Sequence, residues 1–283
     1  MKLSDQEATQ FAKIFEYGHA GNGKTVAAAS FPGPLYFFDF DNGTKSIKTV
    51  FKDLFSTNRK KFEEITGKSD LQAFLDTVEF DRYFDPTPEE PKGYRAFEAK
   101  ITEWQELLKK GKPFPYATVV IDSLTTLEMC LSNVIVKEVK SDRKFGGVFN
   151  MQDYGILIHF VDHLMPEVLA LPCNLVMTAH VLIDTDKEGN EITYKPMVKG
   201  RWLPSKIPAW FDEVYYTSAK SSTEKVKEIK DGKAIETVKK VMEYNWQLKQ
   251  KGAIKFVKSR LIPPSVGESV PASFLSIKPH LGL

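Results

Sequence analysis

Apolar positions along this chain follow two spacings. The stretches FAKIFEYG (11–18), PLYFFDFD (34–41), ATVVIDS (117–123) and CNLVMTAH (173–180) are apolar runs without strict alternation. That is the pattern of strands covered on both faces of a parallel sheet. YRAFEAKITEWQELLKKG (94–111) and MQDYGILIHFVDHLMPEVLALP (151–172) instead repeat apolar residues at helical spacing. After the first run, KTVAAAS (24–30) changes to strong helix formers, which predicts strand, tight turn, helix. Strands alternating with helices predict a three-layer α/β fold. Residues 42–93 are less regular and hold the Pro-rich DPTPEEPKG, expected to form a surface loop.

The last third reads differently. VLIDTDKEGNEITYKPMV (181–198) predicts two extended arms around the DKEGN turn, and EVYYTS, TVKKVMEYNWQLK and AIKFVKSR predict further strands, the later ones antiparallel. No linker or internal repeat divides the chain, so the expectation is one domain over 1–262 and a short, loosely held tail over 263–283.

Composition narrows the class without deciding it. The chain has 283 residues, 42% of them hydrophobic, and a net charge of +2, which fits a soluble protein with a sizeable core. The charge is uneven: residues 220–260 carry twelve basic and five acidic side chains, consistent with either a basic binding face or a solvated lysine-rich hairpin. Cys130 and Cys173 lie in or beside apolar runs and read as buried thiols of a reducing compartment. The N-terminus is polar and no apolar run approaches the ~20 residues of a membrane span, so a cytoplasmic protein with no membrane partner is expected.

The candidate chemistry begins at GHAGNGKT (18–25), which fits G-x-x-x-x-G-K-[ST] between a strand and a helix. A glycine-rich bend of this kind can wrap backbone N–H groups around phosphate oxygens, helped by the helix that follows. Gly18, His19, Ala20, Gly21, Asn22, Gly23, Lys24 and Thr25 are therefore the nucleotide-binding candidates, with Lys24 on the outer phosphates and Thr25 on Mg²⁺. Asp122 closes a buried strand where open α/β sheets place ligands, and is a candidate second Mg²⁺ ligand. Taken alone it would also suit the role of cap for a helix starting at SLTTLEM, but beside a phosphate loop the metal role is preferred. Asp39 and Asp41 end a neighbouring run, and either could orient a water against the γ-phosphate. Thr178 and His180 end another, where His180 could sense that phosphate. His159, His163 and Glu167 are spaced four apart but lack the glutamate of H-E-x-x-H and are not assigned a metal. Lys258 and Arg260, two apart on a strand, could neutralise charge in a neighbouring subunit's site.

The ordered set GHAGNGKT, FFDFD, VVIDS, VMTAH and VKSR resembles the RecA-type core ATPases, and more closely the phage-encoded single-domain ATP-binding or single-strand annealing proteins. The resemblance spans about residues 11 to 262. It implies a RecA-like P-loop NTPase core, a mainly parallel sheet with antiparallel C-terminal strands, and an ATPase using ATP and Mg²⁺. Asp41 falls where that type has a catalytic glutamate, one methylene longer. His180 falls at its polar switch position, and Lys258 and Arg260 at its paired basic residues acting across subunits. Implied partners are single-stranded DNA, further copies of the chain in a ring or filament with ATP at their interfaces, and a single-strand-binding protein, in the cytoplasm of a bacterial host. The DNA-contacting stretches would be KSDRKFGGVFN (140–150) and the segment after His180 through Lys195, Lys199 and Arg201, with Phe145, Phe149 or Trp202 stacking on bases. Two other readings stay open: a small-molecule kinase, since the loop also fits one, and a nucleotide-binding partner protein with little hydrolysis.

Overall fold

A computed structural model describes residues 11–87, 89–139, 149–186, 188–189, 192–230 and 233–281. Its spine is a ten-stranded sheet. The apolar runs form β1 (Lys13–Gly18), β2 (Leu35–Asp39), β4 (Thr118–Asp122) and β5 (Asn174–Thr185). With β3 (Val78–Arg82) and β7 (Glu213–Lys230) they make a parallel set in the order β7-β1-β5-β4-β2-β3. Antiparallel strands complete it: β6 (Ile192–Pro196) on β5, β8 (Lys233–Gln247) and the two-residue β9 (Lys258–Ser259) on β7, and β10 (Ser269–Pro271) on β8. β1, β2 and β4 are buried along their length, apart from a half-buried Lys13, which is why their runs do not alternate.

Helices cover both faces, giving three layers. One core lies under α5 (Gly93–Lys109), α6 (Leu124–Val134), α7 (Met151–Leu169) and α8 (Leu203–Trp210); the other lies under α1 (Lys24–Ala28), α2 (Lys45–Thr57), α3 (Arg59–Thr66), α4 (Leu71–Leu75) and α9 (Phe274–Ile277). No described helix is long and apolar enough to cross a membrane.

Two expectations are corrected. The irregular segment 42–93 holds three helices and β3, held by packing of Phe51, Phe62 and Phe74 on one another. α2 does carry a helical repeat, Ile47, Val50, Phe51, Leu54 and Phe55, which the reading of this segment as irregular passed over, whereas α4 is only five residues long and shows no period. The tail is not loose: β10 adds to the sheet, and Phe274, Ile277 and Leu281 are buried, with Phe274 against Phe31.

Register fixes where the site forms. Gly18 pairs with His180, and Asp39 with Asp122, so these strand ends share one sheet edge. Two hairpin arms rise past that edge on either side of β1. The first is the end of β5 with β6, although part of its turn lies outside the described residues. The second is β7–β8, which runs on for fourteen residues after Tyr216, roughly 45 Å at strand spacing.

Candidate nucleotide site

Between Gly18 and Lys24 the backbone turns through glycines at φ +80° (Gly21) and +83° (Gly23), a region that L side chains rarely adopt. A Cβ on Gly18 would stand 2.4 Å from the Thr217 carbonyl oxygen, and one on Gly23 would stand 2.7 Å from the Tyr244 ring. Gly18 is therefore needed for space, Gly21 for conformation, and Gly23 for both. Asn22 Nδ2 donates to Thr217 O at 3.0 Å, fastening the loop to β7. The helix that follows is only five residues long. Its macrodipole is correspondingly weak, so the loop's own amides would be the main anion-binding groups.

Lys24 lies folded across the loop, its Nζ donating to Gly18 O and His19 O, each at 2.9 Å. Burial lowers its pKa, opposed by the charges of Glu16, Asp122 and Asp41. Thr25 Oγ1 donates to Asp122 Oδ2 and Thr178 Oγ1 to Asp122 Oδ1, both at 2.6 Å. Asp122 is 2% exposed, and burial raises its pKa despite those bonds. The helix-cap alternative is taken by Ser123, whose Oγ accepts from Thr126 N, leaving Asp122 to the site.

The residues present fit a divalent cation. A buried carboxylate has only neutral hydroxyls as hydrogen-bond partners, and hydroxyl plus carboxylate oxygens suit hard Mg²⁺. A Cβ on Gly43 would lie 3.0 Å from both Asp122 Oδ2 and Thr25 Oγ1, so its absence keeps room beside these oxygens. Thr25 and Asp122 are the pair that would hold the ion, which would draw negative charge off bound phosphate oxygens. No group of three or more His, Cys, Asp or Glu that could hold a metal occurs among the described residues.

The two aspartates of FFDFD separate cleanly. Asp39 Oδ1 accepts from Gly43 N at 2.8 Å and its Oδ2 from Thr44 Oγ1 at 2.5 Å, so it shapes the turn after β2. Asp41 instead meets His180: Nε2 and Oδ2 are 3.0 Å apart, and Thr126 Oγ1 donates to Asp41 Oδ1. Burial would raise the Asp41 carboxyl, but hydrogen bonds from His180, Thr126 and Ser123 outweigh it and hold the pKa below its ordinary value. An ionised carboxylate only accepts, so the His180 proton on this side sits on Nε2. His180 N donates to Thr125 Oγ1 at 3.0 Å, and that hydroxyl donates to Met197 O at 2.9 Å, linking the pair to α6 and to the segment after β6.

Lys258 and Arg260 are not part of this cluster. β9 pairs with Glu213 and Val214 at the start of β7, the end of the parallel strands opposite Gly18. Lys258 Nζ donates to Pro208 O and Ala209 O, and Arg260 reaches Asp212 and Ala209 O. Of the expected DNA-contacting stretches, residues 140–148, with Phe145, lie outside the described residues. Lys195 pairs with Asp184 at 2.5 Å. Lys199 is structural: its backbone N donates to both oxygens of buried Glu128 and its ammonium donates to Ser132 and lies over Phe149. Arg201 lies beside Trp202, which is 69% exposed.

Gly43, Thr126 and Tyr244 escaped sequence reasoning. Gly43 belongs to the Asn-Gly pair after FFDFD, a turn signal, but nothing local says that such a turn folds onto Asp122.

No curated protein matches the chain significantly. Residues 10–252 match a known family, described as an AAA domain. With most of its length inside that match and a phosphate loop at the edge of a three-layer α/β sheet, the chain belongs to the AAA domain family of P-loop ATPase-type proteins.

Proposed function

We propose that this domain hydrolyses ATP with Mg²⁺ and uses its nucleotide state to control binding of single-stranded DNA, in the recombination, annealing or replication of a phage genome. The observation that carries the reading is the meeting, at one sheet edge, of the phosphate loop, the Thr25–Asp122 pair and the Asp41–His180 pair. Lys24 leaves the Gly18 and His19 carbonyls for the phosphates. Ionised Asp41 accepts a hydrogen bond from the attacking water and aligns it, while His180 responds to the γ-phosphate. Because His180 lies on β5, which continues into the first arm, its movement reaches the surface beyond. There Arg201 would meet DNA phosphates, and exposed Trp202 would stack on a base. Lys258 and Arg260 complete the site of a neighbouring subunit.

The test is the ATPase rate with and without single-stranded DNA, for wild type and Lys24→Ala. The expected result is stimulation in the wild type and loss in the variant. Equal wild-type rates with and without DNA would remove the DNA role, and transfer of phosphate to an added nucleoside or nucleotide would favour a kinase instead.

A further inference from the structure

Glu16 lies on β1, two residues before Gly18, and is 0% exposed. Its Oε2 accepts from the Trp246 indole Nε1–H and from the Thr217 hydroxyl, both at 2.8 Å. Its Oε1 is buried with no hydrogen-bond partner among the described residues. Thr217 and Trp246 stand opposite each other across β7 and β8, one rung beyond Tyr216, the last β7 residue paired with β1. The carboxylate thus grips both strands of the second arm just past the last rung that β7 shares with β1, where β10 still flanks β8. The same rung touches the phosphate loop, through the Thr217 carbonyl on Asn22 and, two residues along β8, through the Tyr244 ring on Gly23. Lys24 supplies the positive charge acting on Glu16, while Asp122 opposes it. An incoming phosphate competes for that ammonium, which now rests on the Gly18 and His19 carbonyls.

We propose that Glu16 is a positioning residue that couples occupancy of the phosphate loop to the β7–β8 arm, through the Thr217–Trp246 rung that its carboxylate holds and that touches the loop at Asn22. This rests on nucleotide binding at the loop as read above. A buried acid beside a phosphate loop without a hydrogen-bonded cation is otherwise a destabilising choice.

The full chain carries its own reporter, since the Trp246 indole N–H is the donor to Glu16. With tryptophan indoles labelled by ¹⁵N and the Trp246 resonance assigned from Trp246→Phe, saturating Mg²⁺ and a non-hydrolysable ATP analogue are expected to shift that resonance in the wild type. Nucleotide is also expected to alter the rate at which trypsin cuts after the lysines between residues 220 and 240. Glu16→Gln, which keeps an acceptor oxygen, is expected to bind the analogue yet lose both responses. Thr217→Val, which removes one donor, is expected to shrink them and serves if Glu16→Gln fails to fold. Bound nucleotide with an unmoved Trp246 resonance, or variants that keep the full response, would overturn the coupling alone. Absence of nucleotide binding to the wild type, measured by equilibrium dialysis, would overturn the nucleotide reading with it.

Discussion

Asp122 is held by two hydroxyls in a place where an anion is costly, and its neighbours explain why it stays. A buried charge without a compensating cation opposes folding, so Asp122→Asn is expected to leave the melting temperature unchanged or raise it, while Mg²⁺-dependent nucleotide affinity is lost. Calorimetry with and without Mg²⁺-ATP checks both halves. Gly43→Ala would crowd the same oxygens from 3.0 Å; the Mg²⁺ concentration needed for binding is expected to rise about tenfold, roughly 1.4 kcal/mol, with nucleotide affinity in the absence of Mg²⁺ little changed. Glu16 and Glu128 give a pH signature. Burial pushes each carboxyl up to about 7, above its unfolded value, so the folded state binds more protons in between. Their stabilising effect is therefore complete below the ordinary carboxylate range and is lost as pH rises through about 7. Thermal melts from pH 5 to 8.5 should show a smaller decline for Glu16→Gln than for wild type. None of this was legible in FEYG, where one acid in an apolar run carries no sign of what lies behind it. FFDFD likewise offered two equivalent aspartates, and only the turn at Gly43 and Thr44 tells them apart.

The elements that could be read were those whose burial is complete. β1, β2, β4 and the first half of β5 are apolar on both faces, so their runs stood out against any neighbour, and the phosphate loop followed from one of them. The first arm was legible from VLIDTDKEGNEITYKPMV and most of β8 from TVKKVMEYNWQLK, but β7 was underestimated, since after EVYYTS its sequence is largely polar and offers no apolar run to follow. Residues 42–93 were only partly opaque: α3 and α4, eight and five residues long, are too short to set a repeat, but Ile47, Val50, Phe51, Leu54 and Phe55 of α2 follow one that could have been read. DPTPEEPKG also hides a tight junction. Asp85 accepts from Gly93 N at 2.6 Å, and a Cβ on Gly93 would fall 1.8 Å from the Tyr83 carbonyl oxygen. Gly93→Ala forces α5 away from the end of β3 and is expected to cost about 3 kcal/mol in urea denaturation, the penalty expected of overpacked backbone.

At the scale of the molecule, the phosphate loop and the Lys258–Arg260 pair occupy opposite ends of the parallel strands, about 13 Å apart along β1 at strand spacing. If that pair serves a neighbour's nucleotide, as proposed, subunits meet head to tail, and such contacts build rings or helical filaments rather than closed twofold dimers. Lys24→Ala and the double variant Lys258→Ala, Arg260→Ala are each expected to be inactive alone and to recover part of the ATPase activity when mixed, because a mixed contact joins an intact loop to an intact pair. No recovery at any mixing ratio would confine catalysis to a single chain. A molecule with its ligand edge at one pole and its basic pair at the other also gives any stack a direction. In an open row one terminal protomer always lacks a donor of that pair, so turnover per protomer would climb with length toward a plateau, whereas a closed circle would reach it the moment it formed.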